Sequence, residues 1–574
     1  MLAVSPLVPS YTFQEDVSLL HLTPLTRSND PPSPTEEEQL KEAISSCRQQ
    51  ILDLDAEESR LDTLLANIQR PIQEKKEILH REKERALTAI DDSRRVFSPV
   101  RRVPVEILAK IFRHTIEFPI HRSRNASSHD GEWDSHFTGN PMWTIEAVSK
   151  QWRMVAMSFP ELWSYINIVL TDLAEERSLI YRKHLSEQCS RSRNHPLFVS
   201  IADGNEYRAT KFRAQWLAKY LVIISPYIKE LGLFLHPSTF RRIKRLRLSL
   251  PSLEKVSLLF LGTNTFDHNE KLHLFPSAPR LQTLEVIGID DTIGYFVLPW
   301  QQITTYESYH SNTDGFNVGP TSLHHLETLR ELTHLENCTL FCEHNAGDLE
   351  KSNGGGVYPL ICARLRSLNI VSHMSFPFNN WATPPKQILS RITLPELTSL
   401  RVDCMSREEA DTFTSIRELV TIRSHCPITV LYFDHGIILE DDILHILRTT
   451  PTLEDVRLTH VNVSLDKTLA ELTPKLDGTP VLVPSLKVLH IGGNIVFDIG
   501  IFVNMVEARW NLPPLNFTSM QRLKEVHVYR LLEINGRDSD GTNIDTALST
   551  LDVYKAEGLN AVFSTEYTLN TGDI

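Results

Sequence analysis

Apolar and polar positions alternate along this chain in three successive regimes. In the first, Leu40, Ile44, Cys47, Ile51, Leu54, Leu61, Leu65, Ile68, Ile72, Leu79 and Ala86 recur on alternating steps of four and three, with Glu58, Lys75 and Glu82 filling the gaps. A 3.5-residue period predicts a coiled-coil-like helical seam over residues 35–97. Pro71 removes one backbone donor inside it and is expected to kink or split the helix. Two readings of the stripe stand side by side: self-association or a helical partner through residues 40–90, or one long solvated helix. The arm before it, residues 1–34, is rich in Ser, Pro and Thr and is expected to carry no packed element.

The second regime spans residues 98–166. Pro104 suits a first helical turn, where its missing N–H costs nothing. Ile107, Leu108, Ile111 and Phe112 then form one apolar face at helical spacing. A second face carries Val148, Trp152, Val155 and Ala156, followed by Phe159-Pro160 and Leu162-Trp163. Between them, residues 118–141 have no period. His121, His129, Asp130, Asp134 and His136 fall there without metal-ligand spacing, so a polar surface loop is expected and no metal site.

The third regime is a repeat. Residues 167–227 read as a helical linker or cap. Then LxxLxL units begin at Ile228, Leu253, Leu281, Leu335, Leu365, Leu397, Ile428, Leu453, Leu486 and Leu523. Their spacing is 25 to 37 residues, apart from one gap of 54 that holds a degenerate unit at Ile303–Tyr306. Prolines 251, 279, 395, 451 and 484 precede several units and are expected to stop a helix and launch a strand. Strand, loop, helix, loop at this period predicts an α/β solenoid over residues 228–535, an irregular leucine-rich-repeat horseshoe with a parallel sheet on its concave side. Residues 536–574 read as a polar tail.

Composition narrows the chemistry. A chain of 574 residues exceeds one compact core. The net charge of -13 argues against broad contact with nucleic-acid phosphates. Seven cysteines without a CxxC pair read as reduced thiols. No apolar run approaches the length of a membrane span, and the N-terminal segment, with Glu15 and Asp16, lacks the features of a secretory signal, so a cytoplasmic or nuclear protein is expected. Neither a phosphate loop nor a nucleophile elbow occurs. Gly354–Gly356 reads as a loop between repeats, Asp290-Asp291 and Glu440–Asp442 as helix-start acids, and the Arg241–Arg247 run as a solvated face. No catalytic residue and no cofactor are expected.

At SPVRRVPVEILAKIF and VSKQWRMVAMSFPELWSYI the chain resembles the F-box proteins, of the fungal (basidiomycete-type) set that carries leucine-rich-repeat-like C-terminal regions. It departs from that pattern at Val105, Ser149 and Lys150. The resemblance implies a helical F-box module that docks a Skp-family adaptor, and through it a cullin scaffold and RING-type ubiquitin ligase. Carried over by position, Pro99, Pro104, Ile107, Leu108, Ile111, Phe112, Val148, Trp152 and Leu162 would face the adaptor. The chain would then be a non-catalytic substrate-recognition subunit. The alternative is a repeat scaffold outside any ligase, whose F-box-like helices only cap the solenoid.

Strand alternation supplies the substrate surface. In LxxLxL the third, fifth and seventh positions point away from the core. That row reads Lys255, Ser257, Thr283, Glu285, Ser367, Asn369, Ser399, Arg401, Asp403, Asp455, Arg457, His490, Glu525, His527 and Tyr529. Its mixed charge suits a protein or peptide ligand better than a lipid or polyanion.

Overall fold

The computed structural model describes residues 31–97, 99–116, 141–170, 178–203, 211–243, 246–260, 271–309, 320–343, 360–373, 384–404, 411–474, 481–511, 520–529 and 549–564. The arm up to residue 30, nearly all of the 118–141 insert with its His and Asp residues, and Gly354–Gly356 lie outside them. The chain divides into two compact units, Met1–Pro104 and Val105–Ile574.

In the first unit, Pro34–Val96 is one α-helix of 63 residues, α1, about 95 Å long at 1.5 Å per residue. Its start is a capping box. Ser33 Oγ accepts from Glu36 N at 3.4 Å, Glu36 Oε2 accepts from Ser33 N at 2.9 Å, and Pro34 fills the first helical position. The helix continues through Pro71, so the expected split does not occur. One lost N–H and one crowded carbonyl are outweighed by the turns on both sides. The heptad residues are exposed, Ile44, Ile51, Leu61, Leu65 and Leu79 each by half or more. Surface pairs such as Lys41–Glu37 (2.7 Å) and Arg60–Glu57 (2.8 Å) line the polar faces and add little stability. Residues Pro99–Arg102 form a single 3₁₀ turn.

The second unit begins with three short helices, Val105–His114 (α2), Met142–Val148 (α3) and Lys150–Ser158 (α4), and the 3₁₀ turn Pro160–Trp163. Sixteen described strands follow. They are β1 Tyr165–Val169, β2 Leu197–Ala202, β3 Ile228–Leu235, β4 Lys255–Phe260, β5 Thr283–Ile287, β6 Thr305–Tyr309, β7 Asn337–Glu343 and β8 Leu360–Ile361. The rest are β9 Ser367–His373, β10 Ile392–Thr393, β11 Ser399–Cys404, β12 Val430–Ile437, β13 Asp455–Ser464, β14 Val488–Val496, β15 Glu525–Tyr529 and β16 Asn560–Ser564. Fourteen form one parallel sheet in sequence order, and β8 pairs with β10 apart from it.

The repeat pattern explains the register. Leu231, Val256, Leu284, Tyr306, Cys338, Leu368, Leu400, Leu431, Val456, Leu489 and Val526 are partners across successive strands, so one apolar row crosses the sheet. All are buried in a single cluster that also holds residues of the connecting helices Ser322–Glu331, Glu440–Thr449 and Ile499–Trp510. One face of the sheet is thus helix-covered; the other is called the open face below.

The prolines act one step later than expected. Leu253, Leu281, Leu397, Leu453 and Leu486 each donate a backbone N–H to the residue three before, at 3.2–3.3 Å. Each proline is therefore the second residue of an X-Pro-x-Leu β-turn, where its fixed φ is favourable, and that turn sets the buried Leu at the strand entrance.

The sheet is longer than the repeat pattern indicates. Residues expected as a helical linker contribute β1, β2 and the helices Ser178–Arg191 and Lys211–Ile224. Within the expected tail, β16 pairs with β15. These strands lack the leucine lead that marks the others. Among the described residues no helix is long and apolar enough to cross a membrane. All seven cysteines are free thiols; Cys47 is exposed, while Cys338, Cys342, Cys362, Cys404 and Cys426 are buried.

Candidate binding surfaces

Helices α2 to α4 sort their apolar residues into two sets. Leu108, Phe112, Val155, Ala156, Leu162 and Trp163 are buried. Ser149 caps α4, accepting from Trp152 N at 3.1 Å, which places the Trp152 ring 5.0 Å from Phe112. Trp163 donates its indole N–H to the Ala156 carbonyl at 2.8 Å. Leu108, Phe112 and Leu162 therefore hold the module together and do not face outward, which corrects the sequence assignment for those three. Ile107, Ile111 and Val148 remain exposed, by 45%, 48% and 58%, together with Val105, Met154 and Met157. Pro99 and Pro104 are exposed too. An amphipathic pattern finds both sets but cannot divide them when a helix carries apolar residues around more than half its girth.

The module is seated on the first sheet unit. The Arg191 guanidinium lies 4.5 Å from the Trp143 ring and 4.4 Å from the Trp163 ring, and pairs with Glu146 at 2.7 Å. Gln188 donates to the Tyr165 carbonyl at 2.7 Å.

The open face differs along its length. In β11 to β15 the out-pointing residues form a polar array, partly exposed at Arg401, Asp403 and Arg457 and buried at Asp434 and His490. Arg401 lies 4.3 Å from the Tyr432 ring, and Arg457 grips Asp455 through two nitrogens at 3.0 Å. His490 and His527 stack at 4.1 Å, Glu525 Oε1 is 2.8 Å from His490 Nε2, and the Tyr529 hydroxyl is 2.8 Å from His527 Nδ1. Burial drives the His490 imidazole down to about 4, and the neighbouring His527 and Arg457 cations push the same way. Asn369, Arg401, Asp403, Arg457, His490, His527 and Tyr529 thus lie on one face, as alternation requires.

In β3 to β5 the same face is closed. Ser257 and Glu285 are fully buried, Ser257 donating to Glu285 at 2.7 Å with Lys255 Nζ 3.2 Å away. Beside them Ala202, Phe234, Leu259 and Ile287 form a second apolar cluster. Ser257 and Glu285 are therefore interior groups, not ligand-facing ones; Lys255 and Thr283 keep partial exposure. No protein-family model matches this chain, and no curated protein matches it either. The acidic runs are structural: Asp291 caps Thr292–Tyr295, and Asp442 accepts from Thr414 and Arg417, both at 2.7 Å.

Four residues escaped the sequence reading in whole or in their grouping. Asp434, His435 and His460 were not singled out, and Asp403 was placed without its neighbours. His435 Nδ1 lies 3.3 Å from Asp403 Oδ1 and 3.3 Å from Asp434 Oδ1, and His460 Nδ1 lies 2.8 Å from Asp434 Oδ1. Burial raises the Asp434 carboxyl, but the His460 hydrogen bond and the two imidazole charges outweigh it and hold the group low. Two sets of three among the described residues bring metal-ligating atoms within 4.8 Å of one another: Asp434, His435 and His460; and His490, Glu525 and His527. The signal was present in the repeat. Each of His435 and His460 stands two residues after the second apolar residue of its strand, Phe433 and Leu458.

Proposed function

We propose that this chain is a substrate-recognition subunit of a Skp–cullin–F-box ubiquitin ligase. In this reading α2 to α4 are the F-box, the fourteen-stranded sheet is the concave side of an irregular leucine-rich-repeat solenoid, and the polar array of β11 to β15 receives a protein substrate. The observation that carries it is the exposed apolar set Val105, Ile107, Ile111, Val148, Met154 and Met157 on a module whose own core is already filled. Apolar surface of this kind marks an interface. The chain itself performs no catalysis in this scheme and acts in the cytoplasm or nucleus.

A second reading is favoured by the packing of Arg191, Gln188 and Glu146 against the module: the helices serve as the N-terminal cap that a solenoid needs, outside any ligase. Co-expression with a Skp-family adaptor separates the two. Wild type is expected to recover the adaptor, and Ile107→Asp/Ile111→Asp to lose it while keeping its circular dichroism and unfolding midpoint. Equal recovery by both, or by neither, removes the ligase reading and leaves the cap.

A further inference from the structure

Successive side chains of a regular strand point to opposite faces, yet the neighbours Asp434 and His435 approach each other to 3.3 Å. The cause is an extra residue in both β12 and β13. Pairing runs from Asp434–Thr459 to Gly436–Val461, and against β14 the register shifts between Leu458 and Val461. The inserted residues are His435 and His460, at φ +57° and +49°. Such bulges re-aim side chains, and a left-handed conformation in non-glycine residues is found where function holds it. In the adjacent strand, which lacks the extra residue, Gly493 pairs with Val461, and a Cβ there would stand 2.5 Å from the Val461 backbone.

We propose that Asp434, His435 and His460, with the Asp403 carboxylate beside His435, bind one divalent transition-metal ion of the zinc class. Two carboxylates balance a double positive charge. Two imidazoles exclude the oxygen-preferring Mg²⁺ and Ca²⁺ in favour of Zn²⁺, Co²⁺ or Ni²⁺. Ligands about 2.0 Å from a tetrahedral centre lie about 3.3 Å apart, the separation of His435 Nδ1 from both carboxylates. The ion takes the place of the protons shared between imidazoles and carboxylates. The histidine rings, stacked at 4.4 Å, turn to aim both Nδ1 lone pairs at it, and their partial exposure leaves room. An outer layer holds the ligands: Tyr432 donates to Asp434 Oδ2 at 3.0 Å and receives Thr459 Oγ1 at 3.3 Å. The second set, His490, Glu525 and His527, has one carboxylate and Arg457 beside it, and serves as the control. This assignment stands apart from the ligase reading and survives its failure.

The test uses the full chain, stripped by a chelator and titrated with Zn²⁺ in a calorimeter and with Co²⁺ in a spectrophotometer. One ion per chain and the absorption of four-coordinate cobalt are expected. His435→Gly/His460→Gly keeps the backbone turns, because glycine adopts positive φ freely, so the metal-free variant should retain the wild-type circular dichroism. Its Zn²⁺ affinity should fall more than about 100-fold. Asp434→Asn, close to isosteric, should weaken binding in the same direction, and His490→Ala/His527→Ala should leave it unchanged. The assignment is overturned by a stripped chain that binds no Zn²⁺, by a double-glycine variant that binds like wild type, or by loss in the His490/His527 variant alone.

Discussion

The third out-pointing position of each strand has opposite fates in the two halves of the sheet. In β4 and β5 it is Leu259 and Ile287, buried with Phe234. In β11 and β12 it is Asp403, half-buried, and Asp434, as buried as its apolar counterparts but held in hydrogen bonds. The helix-covered face is the same apolar row throughout. The repeat thus secures only that face; the other face is apolar in one half and polar in the other.

The largest expected effect comes from exchanging those fates. Leu259→Asp buries a charge without a partner and should cost about 4 kcal/mol or more. Asp403→Leu, measured without metal, should change stability by less than about 1 kcal/mol. Urea midpoints decide it, and similar costs at the two positions would erase the contrast. Next come the two glutamates. Glu285→Ala leaves Lys255 and Ser257 facing an interior without their acceptor and should cost about 3 kcal/mol. Glu525→Ala, on the wetter half, should cost under about 1 kcal/mol. A reversed order of the two would mean that the β3–β5 half is not closed in solution.

Acid gives a gradual effect, small over any fraction of a pH unit. His325, in the core, donating Nε2–H to the Phe341 carbonyl at 2.9 Å, is driven by burial down to about 4, as is His490 on the open face. Their unfolded counterparts protonate near 6.5. Both contributions are complete above that value and decline as pH falls from 6.5 towards 4, by at most about 1.4 kcal/mol per pH unit for each site. His490→Gln should remove its share of that slope and leave the share of His325. Stability that increases on acidification between pH 6.5 and 5 would contradict both assignments.

The strands with leucine leads were legible because their apolar positions must meet across a 4.8 Å spacing, a constraint written in every unit. β1, β2 and β16 were not, since YINIV, LFVSIA and NAVFS carry alternation without the lead. Pro71 was expected to kink or split α1, and the helix runs unbroken through it, because the turns on both sides outweigh one lost hydrogen bond. On the module, Ile107 and Leu108 are neighbours in sequence and equal in hydropathy, yet one is exposed and the other enclosed. Only the Phe112–Trp152 contact and the Trp163 hydrogen bond reveal which way the helix is turned. His435 and His460 were hidden by a bulge, which breaks the alternation on which the out-pointing row was counted, whereas Asp434 lies on the regular row and was passed over.

The thiols give the fold a chemical clock. Burial pushes the Cys362 and Cys426 thiols up to about 11, and Cys338 and Cys404 higher still, so the reactive thiolate is scarce at neutral pH. Cys47 stands exposed on α1. An alkylating reagent therefore marks α1 at once and marks each stretch of the sheet only when that stretch opens. Because those cysteines sit on β7, on β11 and in the segments just before β9 and β12, the order of labelling records where along the array the protein first comes apart.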